Sequence, residues 1–173
     1  MLFRSLFSGT GDDVLTGGAG NDRMVNNGTG TDSYDGGDGI DTYVIDLTGF
    51  VVSSSTVIEA NLVTSFSGGQ GITALSDTIT NFENVDLSSA TTPVSITGDA
   101  GNNSLTGGTG DDTINGGTGN DTISGGAGND VLAGGAGDDT LFSGTGDDVL
   151  TGGAGNDRMV NNGTGTDSYD GGD

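Results

Sequence analysis

The 173-residue sequence contains no cysteine, no histidine and no lysine. Without cysteine the chain has no disulfide and no zinc thiolate site, and without histidine it lacks the usual nitrogen ligand and the usual general base. No run of 18 apolar residues occurs, so the sequence predicts no membrane insertion. The opening residues, MLFRSLF, are shorter than a secretory signal peptide. These absences leave carboxylates as the principal chemical groups of the chain.

Positive charge is nearly missing. The chain has three arginines against 23 aspartates and two glutamates, which gives a formal net charge of −22. Such a chain repels nucleic acids and anionic lipid heads, so nucleic acid is excluded as a partner and multivalent cations are favoured. An acidic surface that serves only solubility would use glutamate as readily as aspartate. The strong bias to the shorter side chain therefore indicates a geometric requirement.

Glycine, by contrast, is abundant at 37 residues, and it recurs in units of nine. Residues 125–133 read GGAGNDVLA, and residues 134–142 read GGAGDDTLF. Comparable repeats fill residues 8–44 and 98–173, with glycine at the second and fourth places, Asp at the sixth and a large, mostly apolar residue at the eighth. The repeat at Gly98 is the exception, with Asp99 at the second place and Asn103 at the sixth. A period of nine fits neither a continuous helix nor a long strand. It predicts strands of about three residues joined by glycine-rich turns, stacked in parallel as a solenoid around the eighth-place side chains.

The pattern G-G-x-G-x-D-x-U-x resembles the repeat-in-toxin (RTX) nonapeptide of bacterial secreted proteins. The resemblance implies an all-β fold, a parallel β-roll with calcium ions bound between successive glycine-rich turns. In that family two repeats make one coil, and an ion lies between repeats n and n+2. Carried over to this chain, the shared sites would pair Asp112 with Asp130, Asp121 with Asp139, Asp130 with Asp148 and Asp139 with Asp157.

The calcium ligands that the resemblance implies are of two kinds. The first kind is the sixth-place carboxylates, which are Asp13, Asp22, Asp32, Asp41, Asp112, Asp121, Asp130, Asp139, Asp148, Asp157 and Asp167. The second kind is the main-chain carbonyls of Gly9, Gly11, Gly18, Gly20, Gly108, Gly110, Gly117, Gly119, Gly126, Gly128, Gly135, Gly137, Gly144, Gly146, Gly153 and Gly155. Full occupancy would place about eight or nine ions, close to balancing the chain's charge. Magnesium, which needs a tighter octahedron, should be a poor substitute.

Calcium should also supply folding free energy. Aspartates one coil apart repel each other, and a glycine-rich coil buries little apolar area while losing much backbone entropy on ordering. We therefore expect a chain that is largely disordered without calcium and folded in millimolar calcium. The alternative, a flexible acidic linker, gives no reason for a large apolar residue at every eighth place. The fifth-place residues Asp12, Asp111, Asp138 and Asp147 are predicted to be solvated turn residues rather than obligatory ligands.

Residues 45–97 lack the repeat and are rich in Val, Ile, Thr and Phe, which predicts an irregular β connector that continues the solenoid. The predicted strands are 42–47, 56–63, 77–80, 83–87 and 94–97. The predicted core residues of this segment are Ile58, Leu62, Ile79, Phe82, Val85 and Leu87. Glu83 has two interpretations, as a capping or ion ligand and as a hydrogen-bonded structural carboxylate.

Two further functions find little support in the sequence. Catalysis would need a nucleophile with a base beside it, and no such arrangement is recognisable, so we expect no enzyme activity. Ice binding would need rows of paired Thr-x-Asn on successive coils, and only Thr118 with Asn120 forms such a pair. Ice binding therefore remains the lesser alternative.

Residues 6–38 recur without a change as residues 141–173, an offset of 135 residues. Drifting repeats would not stay identical over this length, so the simplest interpretation is a larger tandem unit; an artificial duplication of one end is the alternative. A tandem array predicts an extracellular, calcium-stiffened rod, filament, surface layer or adhesin stalk that self-associates end to end. The family resemblance implies secretion by the type I route. The competing hypothesis is a calcium-dependent secretion and folding module of an exported enzyme or toxin.

Overall fold

A computed structural model describes residues 4–27, 32–45, 58–61, 67–68, 78–80 and 82–173 of the chain. Within these ranges every regular element is a β-strand, and there is no helix that could span a membrane. The strands are β1 Arg4–Phe7, β2 Val14–Ala19, β3 Asp22–Asn26, β4 Ser33–Asp38, β5 Thr42–Ile45, β6 Ile58–Asn61, β7 Ser67–Gly68, β8 Thr78–Thr80, β9 Asn84–Asp86, β10 Val94–Thr97, β11 Ser104–Thr106, β12 Thr113–Thr118, β13 Thr122–Ala127, β14 Val131–Ala136, β15 Thr140–Thr145, β16 Val149–Ala154, β17 Arg158–Val160 and β18 Ser168–Gly172.

The strands alternate between two sides of a coil. One side is a single eight-stranded sheet with the order β1-β3-β5-β9-β11-β13-β15-β17. The other side consists of a seven-stranded sheet, β18-β16-β14-β12-β10-β6-β7, and a three-stranded sheet, β2-β4-β8. Neighbouring strands are parallel in every described pair except β6 with β7. This is the parallel β-solenoid that the nine-residue period predicted.

Strands that pair in the second repeat block are two repeats apart in sequence. Ile114 lies opposite Leu132, and Leu132 lies opposite Leu150. The strands here are longer than the three residues predicted, because the first three places of the following repeat also belong to them. Gly117 pairs with Gly135, so the ladder resumes after the bend at the first-place residue. Most of each repeat is therefore sheet, and the turn is confined to places four to six.

The eighth-place side chains form a column at the centre of the hydrophobic core, as predicted, and residues of the connector such as Phe82 and Leu87 join it. From Leu15 to Leu150 these side chains are buried, and Met159 packs against them while partly exposed. Tyr169 is 42% exposed because its strand, β18, lies at the edge of its sheet. The column widens where Tyr43 packs edge-on against Tyr34 and Phe82, with ring centroids 5.0 Å and 5.8 Å apart.

In the segment between the repeat blocks, each of the five predicted strands contains an observed one, namely β5, β6, β8, β9 and β10. Residues 46–47, 56–57, 62–63 and 77 of the predicted strands lie outside the described residues. Phe82, Val85 and Leu87 are buried as predicted. Leu62 and the side chains of Ile58 and Ile79 lie outside the described part of the chain. Because β9 pairs with β5 on one edge and with β11 on the other, the eight-stranded sheet runs unbroken between the blocks.

The two identical segments occupy equivalent positions in the coil. Leu6 lies in the eight-stranded sheet opposite Met24, and its copy Leu141 lies in the same sheet opposite Met159. In the order of that sheet, six strand steps separate β1 from β15. At about 4.8 Å per step, the second copy is displaced by about 29 Å. The 135-residue offset thus corresponds to a whole number of coils.

Candidate metal centre

The turns are shaped by glycines that no other residue can replace. Gly126 and Gly128 have φ of 115° and 118°, a region that side chains disfavour. A Cβ at either position would also clash with the carbonyl oxygen of Gly108 or Gly110, one coil earlier. These carbonyl oxygens therefore project into the gap between two stacked turns. Of the glycines whose carbonyls were predicted as ligands, all have positive φ except Gly108 and Gly110.

Sixth-place aspartates form a hydrogen-bonded ladder along each side of the solenoid. The main-chain N–H of Asp112 donates to Oδ1 of Asp130 over 2.9 Å, and that of Asp130 donates to Oδ1 of Asp148 over 2.8 Å. On the other side, the main-chain N–H of Asp121 donates to Oδ1 of Asp139 over 2.8 Å. The main-chain N–H of Asp139 in turn donates to Oδ1 of Asp157 over 2.9 Å. The structure thus brings together all four aspartate pairs that the RTX resemblance implied. The first block shows the same contact between Asp13 and Asp32 and between Asp22 and Asp41.

The second oxygen of most of these carboxylates is buried without a partner. No hydrogen-bond donor reaches Oδ2 of Asp13, Asp22, Asp41, Asp121, Asp130, Asp139, Asp148 or Asp157. Asp121 and Asp130 are only 2% and 1% exposed, so water does not replace the missing donor. A charged oxygen in this position is costly unless a cation lies beside it.

In repeats that begin with glycine, this oxygen lies close to that glycine, whereas Ser8 and Ser143 hold the first place before Asp13 and Asp148. A Cβ at Gly116 would clash with Oδ2 of Asp121, and a Cβ at Gly125 would clash with Oδ2 of Asp130. The same relationship joins Gly134 to Asp139 and Gly152 to Asp157. At these first places, glycine leaves room for the sixth-place carboxylate, because any Cβ would overlap its Oδ2.

Three predicted ligands differ from the others because their second oxygen already accepts a hydrogen bond. Oδ2 of Asp32 accepts from the Tyr34 hydroxyl over 3.0 Å, and Oδ2 of Asp167 accepts from the Tyr169 hydroxyl over 2.7 Å. Oδ2 of Asp112 accepts from the main-chain N–H of Gly108 over 2.8 Å. The sequence pattern treats all sixth-place aspartates alike, and only the structure divides them into two groups.

Burial changes the acidity of these carboxyl groups. It raises the pKa of Asp130 to about 7 and that of Asp121 to about 6, against the opposing effect of the main-chain N–H donors. The negative charges of neighbouring aspartates add to the increase. Burial likewise raises the pKa of Asp41, Asp112, Asp139 and Asp148. At neutral pH the charged form is therefore held at a cost in free energy.

The donor set is composed of oxygen alone and suits calcium. Among the described residues, no three acidic side chains converge closely enough to hold a metal by themselves. An ion between the turns would thus combine carboxylates from adjacent coils with the main-chain carbonyls that enter the gap. Calcium accepts about six to eight such oxygens in loose geometry, whereas magnesium requires a tight octahedron.

The fifth-place residues form a second ladder that the sequence did not predict. Oδ1 of Asp111 accepts from the N–H of Asn129 over 2.8 Å, and Oδ1 of Asn129 accepts from the N–H of Asp147 over 2.9 Å. Asp138 accepts in the same way from Asn156 over 2.9 Å. These side chains are exposed, as predicted, but they are ordered links between coils. Here the acceptor belongs to the earlier coil, the reverse of the buried ladder.

Parallel coils, glycine turns and buried acidic ladders define a β-solenoid with cation-binding turns. A family model described as the RTX calcium-binding nonapeptide repeat matches the chain in four copies, at residues 5–28, 97–132, 124–159 and 133–168. These matches cover more than half of the chain, which therefore belongs to this family and is a calcium-binding repeat protein. No similar curated protein was found.

Proposed function

We propose that the protein is an extracellular structural element, a rod stiffened by calcium ions held between its turns. The ligands would be the sixth-place carboxylates together with the second- and fourth-place glycine carbonyls. What supports this assignment is the row of buried, unpartnered Oδ2 atoms, for example those of Asp121, Asp130 and Asp139. A cation beside each would offset the cost of its charge.

The observation that carries the structural role is the in-phase duplication. Leu6 and Leu141 occupy the same sheet with the same pairing, six strand steps apart. Further copies of the 135-residue unit would each add about 29 Å to one solenoid and present the same face each time. Such a repeat suits a filament, a surface layer or an adhesin stalk.

Calcium-dependent folding also fits export. The thin core and the buried charges mean that a chain in a compartment with little calcium would stay unfolded, as transport through a narrow channel requires. Outside the cell, millimolar calcium would fold it. We therefore propose a secreted or cell-surface location, with self-association through the ends of the solenoid.

The test uses two purified chains, one with a single 135-residue unit and one with three tandem units. Both are examined by small-angle scattering and electron microscopy in 5 mM calcium, above the dissociation constants of about 0.1–1 mM typical of extracellular calcium modules, and then after chelation with EGTA. We expect folded rods in calcium, longer by about 29 Å for each added unit. We expect unfolded chains after chelation, and magnesium at the same concentration should not restore the rods.

Two results would count against the proposal. Chains that keep their β signal after exhaustive chelation would overturn calcium-dependent folding. Units that fold in calcium but do not lengthen the particle in even steps would overturn the rod and favour an exported folding module instead.

A further inference from the structure

Glu83 occupies the sixth place of its coil, although no nonapeptide surrounds it. The following residue, Asn84, pairs with the seventh-place residues Thr42 and Ser104 on its two sides. The main-chain carbonyl of Glu83 accepts the N–H of Ser104 over 2.9 Å, as the carbonyl of Asp121 does from its own seventh-place neighbour. The register of the sheet therefore places Glu83 where the repeats have aspartate.

The side chain of Glu83 also makes the sixth-place contact. Its Oε2 accepts the main-chain N–H of Asp41 over 2.7 Å, just as Oδ1 of Asp41 accepts that of Asp22 over 2.7 Å. The acidic ladder of the first block thus extends into the connector. Beyond Glu83 the contact changes, because the side-chain amide of Asn103 donates to the main-chain carbonyl of Glu83 over 3.3 Å. The main-chain N–H of Asn103 then donates to Oδ1 of Asp121.

A second observation points to a ligand at this junction. Asp41 is fully buried, and its Oδ2 has no hydrogen-bond partner. Asp41 thus has the same orphaned oxygen as Asp121 and Asp130 in the regular repeats. The sixth-place carboxylate of the next coil belongs to Glu83 instead of an aspartate.

We propose that Asp41 and Glu83 bind one divalent cation, calcium by their oxygen donors, at the junction between the two repeat blocks. This inference rests on the proposed calcium-dependent function and adds a site outside the nonapeptide pattern. The ion would link the last coil of the first block to the connector. It would make the two blocks fold as one cooperative unit rather than as two.

The primary test compares Glu83→Gln with the unaltered chain and with Glu59→Gln, which changes the only other glutamate. Glutamine keeps an oxygen that can accept the Asp41 N–H but removes the charge. Calcium bound per chain is measured by equilibrium dialysis, and cooperativity by calorimetric melting in calcium. We expect Glu83→Gln to bind one ion fewer and to melt in two steps, and Glu59→Gln to behave as the unaltered chain.

If Glu83→Gln does not fold, Glu83→Asp decides the matter, because it keeps the charge and withdraws the carboxylate by one methylene. We expect Glu83→Asp to retain the full number of ions, with one of them bound at least tenfold more weakly. Unchanged calcium number and affinity in whichever variant folds would overturn the junction site. An unaltered chain that neither binds calcium nor folds with it would instead refute the proposed function, so the two failures are distinguishable.

Discussion

Val94 donates its main-chain N–H to Oδ1 of Asp112 over 2.8 Å, although it has no carboxylate to continue the contact to the preceding coil. Because Ser95 pairs with the seventh-place Thr113, Val94 lies at a sixth place. Leu87, earlier in the same coil, is buried in the core together with Val94. An apolar pair thus replaces the glycine and aspartate of the repeats, and in the second repeat block the acidic ladder on this side begins only at Asp112.

Replacing Asp130 with asparagine should weaken calcium binding but stabilise the folded state of the calcium-free protein. Asparagine keeps Oδ1 as the acceptor for the Asp112 N–H and removes the buried charge. We expect calcium affinity at the neighbouring sites to fall by at least tenfold, about 1.4 kcal/mol. Without calcium, the folded state should become more stable, because the charge no longer has to be buried. Calcium titration and thermal melting with and without chelator measure both effects.

The matched control for this change is Asp138→Asn, which alters an exposed fifth-place residue and keeps its acceptor for the Asn156 N–H. It should leave calcium affinity unchanged. A calcium-free Asp130→Asn chain that is less stable than the unaltered chain would contradict the burial argument.

The calcium-free protein should be more stable in acid than at neutral pH. The folded-state pKa values of Asp121 and Asp130, about 6 and about 7, lie above the ordinary value of 3.8. Protons therefore bind the folded state more tightly, so their contribution to stability is complete below pH 3.8 and is lost as the pH rises through 6 to 7. Circular dichroism of metal-depleted protein should show the β signal declining between pH 4 and pH 8. A signal that increases over this range would refute the prediction.

The same pKa values predict that calcium displaces protons. Near pH 6.5 the protonated fraction of Asp130 must ionise before it can bind an ion. Titration calorimetry in two buffers of different ionisation enthalpy should therefore detect proton release at pH 6.5 and little release at pH 8.

A methyl group at Gly116 should destabilise the folded protein. It would clash with Oδ2 of Asp121 and approach the Gly134 carbonyl oxygen to 2.5 Å. We expect a loss of about 1–3 kcal/mol in unfolding free energy, with weaker calcium binding at Asp121. Gly171→Ala is the control, because Gly171 also holds a first place and has nothing within 4 Å of its added methyl group. Urea unfolding in calcium measures the unfolding free energy of both variants. Equal losses would contradict the conclusion that a first-place glycine makes room for the Asp121 carboxylate.

The duplication provides a matched pair for the tyrosine contacts. Tyr34 and Tyr169 are copies of each other and both donate to a sixth-place carboxylate, but Tyr34 is fully buried and Tyr169 is 42% exposed. Tyr34→Phe should cost about 1.5–3 kcal/mol, the range for a hydrogen bond to a charged group. Tyr169→Phe should cost far less, because water replaces the lost donor. Equal costs in urea unfolding would show that the buried hydroxyl adds nothing.

The fold was predictable because one period governs both the turns and the core. The period of nine places the eighth side chain of each repeat in the core. Leu132 and Leu141 were therefore identifiable as core residues from spacing alone. The aspartate pairs, such as Asp121 with Asp139, came from the family resemblance, which supplied the number of repeats in each coil. A single sequence therefore predicts those parts of the structure that follow its repeat.

The remaining features depend on contacts between coils that no local pattern encodes. The position of Glu83 is defined by the pairing of β9 with β5, more than 40 residues away in sequence. The division of the aspartates depends on which hydroxyl lies within reach of each Oδ2, as Tyr34 does for Asp32. The fifth-place ladder was missed because alternating Asn and Asp in a turn is typical of solvated residues as well.

The two ladders have a mechanical consequence, because each of their links reaches only the adjacent coil. Asp139 is tied to Asp121 behind it and to Asp157 ahead of it. A pulling force on the ends of a long chain should therefore detach the outermost coil first, because that coil is tied to a neighbour on one side only. Each such event would release two repeats, about 60 Å of extended polypeptide. The protein would therefore lengthen under tension in even steps, and each coil could refold when a calcium ion binds again.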